Sequence, residues 1–347
     1  MNATRLRWLL ACAFCLLLLA ALVAFNHQKP RLLVLHSYAE SGRWEGQFNR
    51  GVQRALARNR HPLALRWHYM TFADDDHPNA AEWAASGQRA RSVIDRWQPD
   101  VVLAVGEEAQ DFVARHYAGA PRPRIIYASG EEPERFGYPG AANVSGVRER
   151  LPLQPLTELL AQLRPGPLRL RALGVADATG RAEAAQLQAF DWGPHHWQGT
   201  TLANDLPHWQ QTVQSAAADT DVLLILSLAG LPRQAGEAAV ADTRALAQWT
   251  QAQAQPLVIG LRESFVADGG AIALAPAPDG LGKQATTLAL QALAGPGTAL
   301  PAPQDSQDFI MALRPDALAE RGLHLPAIYT QAARAAQQLY TTPADQP

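Results

Sequence analysis

The sequence predicts an α/β protein of two lobes, each a parallel sheet flanked by helices, after an N-terminal membrane segment. Short apolar runs such as Val101–Val105 stop abruptly at small or polar residues, here Gly106. Such runs are typical of strands buried on both faces. Stretches with helical spacing separate them, which implies parallel strands joined by right-handed crossovers. The alternation starts again after residue 146, and a length of 347 residues also fits two domains.

The N-terminal segment, assigned to residues 1–28, contains the apolar stretch Leu6–Phe25, which follows Arg5. Its length of about 20 residues suits both an export signal and a membrane span. Cleavage after Ala24 would leave Leu22 at position −3, which is a poor signal-peptidase site and favours an uncleaved anchor. Cleavage and release to the periplasm is the alternative. In both cases the rest of the chain is expected on the periplasmic side of the inner membrane.

The first lobe is predicted over residues 29–145, joined by part of 271–300. Asn143–Val147 is short and extended, and it is expected to cross between the lobes. The predicted elements of this lobe are strand Arg31–His36, helix Trp44–Arg58, strand Leu63–Tyr69, helix Glu82–Trp97, strand Val101–Val105, helix Glu107–Tyr117 and strand Ile125–Ala128.

The second lobe is predicted over 146–340, with 341–347 as a frayed tail. Gly295–Gln304 is rich in Pro and Gly and is expected to be a loop. The other predicted elements are helix Pro155–Leu163, strand Leu168–Val175, helix Arg181–Phe190, strand His196–Leu202, helix Leu206–Ala217, strand Asp221–Leu226, helix Glu237–Ala252, strand Pro256–Ile259, strand Ala271–Ala275, helix Leu281–Ala294, strand Asp308–Leu313 and helix Pro315–Arg321.

Composition and motifs exclude several classes of function. The chain is 48% hydrophobic and 18% charged, which is typical of a globular protein, and its net charge of −2 argues against a nucleic-acid partner. The sequence lacks GxGxxG, HExxH and Gly-x-Ser-x-Gly, so we expect neither an enzyme nor a cofactor. The consecutive acidic residues of Asp74–His77 cannot easily face one ion, which favours a solvated helix start over a metal site.

An ordered set of segments resembles a known family over nearly the whole chain from Arg31 onward. The segments are Leu33–Tyr38, Pro99–Gly106, Asn143–Val147, Pro155–Gly166 and Asp308–Pro326. In this order they resemble the ABC transporter substrate-binding protein family with the type I periplasmic-binding fold. They are similar also to extracytoplasmic sensor modules of histidine kinases.

The resemblance implies two lobes that close on a small-molecule ligand by hinge motion. It implies a solute-binding protein of an ABC-type uptake system, with an ABC permease as its partner. The alternative is a membrane-tethered, ligand-sensing adaptor for a separate partner such as a histidine kinase. Family members usually carry Thr or Ser where this chain has Glu107, and Ser/Thr-Asp where it has Arg262-Glu263. The ligand is therefore expected only to be small and polar, such as an amino acid or an amine.

Three candidate ligand contacts follow the first strand. Ser37 can donate a hydrogen bond to a ligand carboxylate, Tyr38 can form an apolar wall, and Trp44 can stack on a ring. The alternative for Tyr38 and Trp44 is that they pack on the surface of their own lobe.

Acidic residues follow the next two strands. Glu107 can pair with a ligand cation such as an amine, and Ser129 with Glu131 forms a second polar loop beside it. The alternative is that Glu107 only complements the dipole of the helix that it begins.

In the second lobe, the candidates are Asp177, Ser227 and Arg262, each at the end of a strand. Asp177 can contact a ligand or cap the helix that follows. Arg262 can hold a ligand carboxylate by two hydrogen bonds. Alternatively, Arg262 pairs with Glu263 or with an acidic loop of the first lobe, and such a bridge can hold a closed state.

Overall fold

The computed structural model describes residues 13–19, 29–70, 79–130, 132–237, 239–295, 297–323 and 325–341. These residues form two six-stranded sheets, each flanked by helices on both faces. The predicted two-lobed α/β class is confirmed.

The first sheet has the strand order β2-β1-β3-β4-β5-β11, and all of its pairs are parallel. Its strands are β1 Arg31–His36, β2 Ala64–Tyr69, β3 Val101–Val105, β4 Arg124–Ser129, β5 Val144–Arg148 and β11 Gln304–Asp305. Its helices are α1 Arg43–Arg58, α2 Ala80–Trp97, α3 Glu107–Phe112 and α9 Pro278–Ala294, with short 3₁₀ helices at Ala114–Tyr117 and Pro133–Phe136.

Side chains of the first sheet alternate between two apolar cores. In β1, Leu32 and Val34 pack toward α1 and α9, whereas Leu33 and Leu35 pack toward α2. Because both faces are covered, the strand is apolar throughout rather than alternating with polar residues. This explains why the short apolar runs in the sequence predicted the strands correctly.

The second sheet has the order β12-β10-β9-β8-β6-β7, and its one antiparallel pair joins β10 to β12. Its strands are β6 Arg169–Val175, β7 His196–Ala203, β8 Val222–Ile225, β9 Leu257–Gly260, β10 Ile272–Pro276 and β12 Phe309–Leu313. Its helices are α4 Leu153–Leu163, α5 Ala178–Ala189, α6 Leu206–Ser215, α7 Thr243–Gln253, α8 Glu263–Ala267, α10 Pro315–Glu320 and α11 Ala327–Ala335, with a 3₁₀ turn at Ala216–Ala218.

The chain crosses between the lobes three times, after β5, after β10 and after β11. The second crossing returns α9 to the first lobe, where it packs against α1. Glycines permit this close approach: a Cβ on Gly51 would lie 1.9 Å from the carbonyl oxygen of Asp279, and one on Gly282 would lie 2.2 Å from that of Phe48. In the described part of the chain, three segments thus connect the lobes.

Several elements differ from their predicted bounds. The segment expected to cross between the lobes is β5, which pairs with β4 inside the first sheet before the crossing begins. Helix α7 starts at Thr243 rather than Glu237, because the Asp242 side chain accepts the Ala245 N–H at 2.7 Å and caps the helix there. The short strand β11 lies at the end of the expected loop, and α11 was not predicted.

Only part of the apolar N-terminal stretch is described: residues 13–19 are helical, and the remainder of 6–25 lies outside the described residues. Within the described part of the chain, no helix has both the length and the apolar character needed to cross a membrane. The segment Asp74–His77 also lies outside the described residues. Anchoring by residues 6–25 stays a prediction.

Candidate functional site

The carboxyl ends of β1, β3 and β4 in the first lobe and of β6, β8 and β9 in the second carry the polar loops of the molecule. We call the residues that follow these strands the cleft floor, because loops at the carboxyl ends of parallel strands are where such sheets bind ligands. These residues are Ser37, Tyr38, Glu107, Glu108, Ser129, Asp177, Ser227 and Arg262.

Ser37 joins β1 to the start of α3. Its Oγ donates to the Val105 carbonyl at 2.9 Å and accepts the Ala109 N–H at 2.9 Å. Gly106 makes this contact possible: its φ is +87°, and a Cβ there would lie 2.5 Å from Ser37 Oγ. A ligand contact by Ser37 would therefore require this hydroxyl to exchange partners.

Glu107 joins the start of α3 to the end of β4. Its Oε1 accepts the Gly130 N–H at 2.9 Å and the Ser129 hydroxyl at 3.2 Å. The two polar loops expected to lie side by side are thus in contact, through one carboxylate. Glu131, the other acidic residue predicted in this loop, lies outside the described residues.

Glu108 was not among the predicted ligand contacts, yet its carboxyl group is buried and has a shifted pKa. Its Oε1 accepts the Tyr38 hydroxyl at 3.3 Å, and its Oε2 is buried without a hydrogen-bond partner. Burial, with the neighbouring charge of Glu107, raises the pKa of Glu108 to about 7. Sequence alone could not separate the two glutamates, because only the packing of α3 decides which one is buried.

Tyr38 lies where the lobes approach each other. Burial raises the pKa of its hydroxyl above the usual range, with further contributions from Glu108, Glu107 and Asp177 in the second lobe. Its ring also meets Trp83 edge-on, with the ring centroids 5.7 Å apart. Tyr38 therefore packs on its own lobe and also faces the opposite one.

Trp44 stacks on Phe48, with ring centroids 5.2 Å apart, and packs against the core below α1. This is the packing alternative that the sequence left open. A stacking contact between Trp44 and a ligand stays a prediction.

Asp177 begins α5. Its Oδ1 accepts the Gly180 N–H at 2.6 Å, so the predicted capping role is observed. Burial raises the pKa of Asp177. The charge of Asp177 also raises the pKa of Tyr38 in the first lobe. Asp177 can therefore cap α5 and still face the cleft.

Arg262 is the centre of a buried charge cluster, which consists of Arg262, Glu149 and Glu183. Its Nη1 donates to Glu149 Oε1 at 2.5 Å and its Nε donates to Glu183 Oε1 at 2.6 Å. Glu149 and Glu183 are only 6% and 2% exposed. Although burial alone would lower it, the two carboxylates raise the pKa of Arg262. Its guanidinium is thus already neutralised by protein groups.

The partners of Arg262 differ from both predicted ones. Glu149 lies in the first crossing segment, directly after β5, and Glu183 lies one turn into α5. Glu183 Oε2 also accepts the Ser227 N–H at 3.3 Å, which ties the end of β8 to the same cluster. Burial raises the pKa of Glu183, against the opposing charge of Arg262. The predicted bidentate contact to a ligand carboxylate would have to compete with these two glutamates.

Glu263, one of the partners predicted for Arg262, instead forms a bridge between the lobes. Its Oε1 lies 3.4 Å from Nη1 of Arg43, at the start of α1. It also accepts the hydroxyl of Tyr340. The Arg43 side chain is 53% exposed, so this ion pair lies at the solvent edge of the cleft.

Acidic groups outnumber basic ones in and around the cleft floor. The carboxyl groups are those of Glu107, Glu108, Glu149, Asp177 and Glu183, and the guanidinium groups near them are those of Arg262 and Arg181. Three of these carboxyl groups have raised pKa values because of burial. Burial that raises the pKa of several neighbouring acids is typical of a functional site.

Comparison with known proteins supports the fold. No protein-family model matches the chain, and no curated protein sequence matches it. A substrate-binding protein with adhesive properties from Clostridium difficile, in a ligand-free, open form, is similar to it (TM-score 0.64, 12% identity, 90% of this chain and 99% of that chain). An ABC domain from Streptococcus pneumonia in complex with L-Trp is also similar (TM-score 0.60, 15% identity, 89% and 100%). So is a conserved domain protein from Vibrio cholerae (TM-score 0.60, 16% identity, 91% and 100%). The chain therefore has the type I periplasmic-binding fold.

Proposed function

We propose that this protein is an extracytoplasmic solute-binding protein of an ABC-type uptake system, which binds a small polar ligand between its lobes. The observation that carries the proposal is the convergence of acidic strand-end loops from both lobes beside three crossing segments. A hinge of this kind lets the lobes rotate about the crossings. Two of the similar structures, a substrate-binding protein and an L-Trp complex, are consistent with this function.

The ligand that best fits the cleft floor carries an amine. Arg262 is neutralised by two buried glutamates, so it offers little charge to a ligand carboxylate. Glu108 has a buried oxygen without a partner and a pKa of about 7, so a ligand ammonium beside it would stabilise the ionised form. An amino acid or an amine therefore suits this site better than a sugar or an anion.

Ligand binding would act on the equilibrium between open and closed forms. A ligand held by Glu108 in one lobe and Asp177 in the other makes its full set of contacts only when the lobes are together. Such a difference in contacts shifts the population toward the closed form. The closed form would then present its surface to an ABC permease.

The test is a thermal-shift screen of the purified full-length chain against amino acids, amines, sugars and purines. A ligand present at a hundred times its Kd stabilises the folded state by about 2.7 kcal/mol. We expect stabilisation by a compound with a primary amine, reduced in Glu108→Gln. The matched control is Glu134→Gln, an exposed glutamate in the 3₁₀ turn after β4. Absence of a shift with every compound would contradict the proposal.

A further inference from the structure

A cavity of about 960 Å³ lies between the lobes beside the crossing segments, and we call it the flank cavity. Its wall includes residues of the first lobe, of two crossing segments and of the outer face of α5. This volume is at the upper end of the range for small-molecule sites, about 300–1,000 Å³. The cavity is therefore large enough for a ligand bigger than most amino acids.

Three guanidinium groups line the flank cavity: Arg135, Arg150 and Arg181. Arg135 pairs with Asp111 at 2.7 Å, and Arg150 pairs with Glu132 at 2.7 Å. These two arginines are already held by carboxylates of the protein. Their charges are thus balanced, in part by Glu132 of the same cavity wall, and their hydrogen-bonding capacity is largely used.

Arg181 differs from the other two. Its side chain is exposed, and no carboxylate of the described ranges forms an ion pair with it. Its Nη1 donates only a long hydrogen bond, of 3.4 Å, to the Ala176 carbonyl. The charge of Arg181 does lower the pKa of Asp177 in opposition to burial, which places this guanidinium close to the cleft floor. It is thus a cation with donors available to a bound anion.

The rest of the wall is mixed: it includes the carboxylates of Glu132 and Asp308 and several polar side chains, but the part next to Arg181 along α5 is apolar. Phe309 is 46% exposed, and Phe190 is half-buried at the far end of α5. Ala185 lies between Arg181 and Phe190 on the same helix and is exposed. Since a large aromatic ring gains free energy when it is covered, Phe309 offers a surface for an apolar ligand body.

We propose that the flank cavity is a second binding site, for an organic anion with an aromatic body. The acidic group would lie at Arg181, where a charge-assisted hydrogen bond forms with a donor that the protein leaves available. The aromatic body would lie along Ala185 and cover Phe190 and Phe309. This chemistry is opposite in sign to that of the acid-rich cleft floor, so the two sites select different ligands.

The test uses the fluorescent anion anilinonaphthalene sulfonate with the full-length chain. We expect saturable binding at one site per chain, weakened about tenfold in Arg181→Gln, which corresponds to about 1.4 kcal/mol for the lost charge-assisted hydrogen bond. The uncharged analogue N-phenyl-naphthylamine should bind with equal affinity to the native chain and to Arg181→Gln. Ala185→Trp should weaken binding of both probes, because the indole ring would occupy the space between Arg181 and Phe190.

Matched controls lie on the exposed side of α1, far from the cavity. Arg58→Gln and Ala57→Trp should leave the affinity for the anion unchanged. Circular dichroism and thermal melting check that each variant is folded. The proposal is overturned if folded Arg181→Gln and Ala185→Trp both bind the anion as the native chain does. Because neither probe carries an aliphatic ammonium group, this result is independent of the thermal-shift screen.

Discussion

The cleft floor and the flank cavity both lie between the lobes, but their charged groups differ in burial and in ion pairing. In the cleft floor, the charged groups are buried and bonded to one another, as with Arg262 between Glu149 and Glu183. In the flank cavity, Arg181 is exposed beside Ala185 and Phe190, and it has no ion pair among the described residues. Buried pairs depend on each other, whereas an exposed charge is available to a ligand.

The comparison separates two roles that a list of charged residues cannot separate. Removing one partner of a buried pair leaves the other charged and desolvated, so the effect appears in stability. Removing an exposed charge costs little stability, so the effect appears in binding. Substitutions of buried and of exposed charges should therefore have different kinds of effect, and four experiments test this difference.

The largest effect is expected for Arg262→Met, which leaves Glu149 and Glu183 buried without their cation. We expect a loss of about 3–5 kcal/mol in the free energy of unfolding, measured by urea denaturation. The control is Arg169→Met, whose ion pair with Asp221 is exposed to solvent and should contribute little to stability. Similar losses in both variants would show that the cluster around Arg262 is not a coupled buried unit.

The partners of Arg262 illustrate what a sequence can predict here. Strands such as Val101–Val105 were predicted because burial on both faces leaves a continuous apolar run in the sequence itself. Glu149 and Glu183 could not be predicted as partners, because their contact depends on how a crossing segment and a helix meet in space. The local sequence could show that an acid or a base follows a strand, but it could not show which carboxylate neutralises Arg262.

The ends of helices and strands show the same difference between local signals and contacts that are distant in sequence. Asn79 accepts the Ala81 and Glu82 N–H groups, and Glu82 accepts the Asn79 N–H, so α2 begins with a capping box inside its own sequence. By contrast, β11 forms because Gln304 reaches β5 from a distant part of the chain, and nothing in the Pro- and Gly-rich segment before it indicates a strand. Local signals were predictive, and long-range pairing was not.

A second effect concerns pH and Glu108. Its folded-state pKa of about 7 lies above the usual 4.5, so the folded state binds the proton more tightly than the unfolded state does. The stabilising contribution is fully present below pH 4.5 and is lost as the pH rises through 7. Glu108→Gln should therefore be more stable than the native chain at pH 8, by at most about 3 kcal/mol, and equal to it near pH 4.

Urea denaturation at pH 4.5, 6 and 8 measures this difference, and Glu134→Gln serves as the exposed control. A native chain that is as stable as Glu108→Gln at all three values would show that Glu108 is solvated. In that case Glu108 of the cleft floor would be as accessible to solvent as Arg181 of the flank cavity.

The opposite dependence is expected for His36, which lies at the end of β1. Its ring is buried and stacks on Tyr69 with centroids 5.0 Å apart, and burial lowers its pKa to about 4 despite an opposing effect of Asn49. Because the folded-state pKa lies below 6.5, stability is fully present above pH 6.5 and is lost as the pH falls through 4.

Replacement of His36 by Phe should remove this loss of stability on the acid side, about 3 kcal/mol between pH 7 and pH 4, measured by denaturation over that range. His61→Phe, at an exposed loop position, is the control and should leave the pH profile unchanged. A native profile that is flat between these pH values would contradict the assignment of a neutral, buried imidazole.

The smallest effect is expected at the edge of the cleft, where Arg43 bridges to Glu263. Since Arg43 is largely exposed, Arg43→Ala should change the free energy of unfolding by less than about 1 kcal/mol. It should nevertheless favour separation of the lobes, which small-angle X-ray scattering would detect as a larger radius of gyration. An unchanged radius would mean that the bridge does not bias the lobe angle.

The return of α9 to the first lobe also bears on how this chain folds. Helix α9 covers one face of the first sheet and packs on α1 around Gly51. It is translated only after the whole run from β6 to β10. The emerging chain must keep an apolar surface uncovered during this interval. Contacts between segments so distant in sequence raise the contact order and slow folding. An uncovered apolar surface of this kind favours aggregation, so we expect a chaperone to bind the incompletely folded first lobe during that interval.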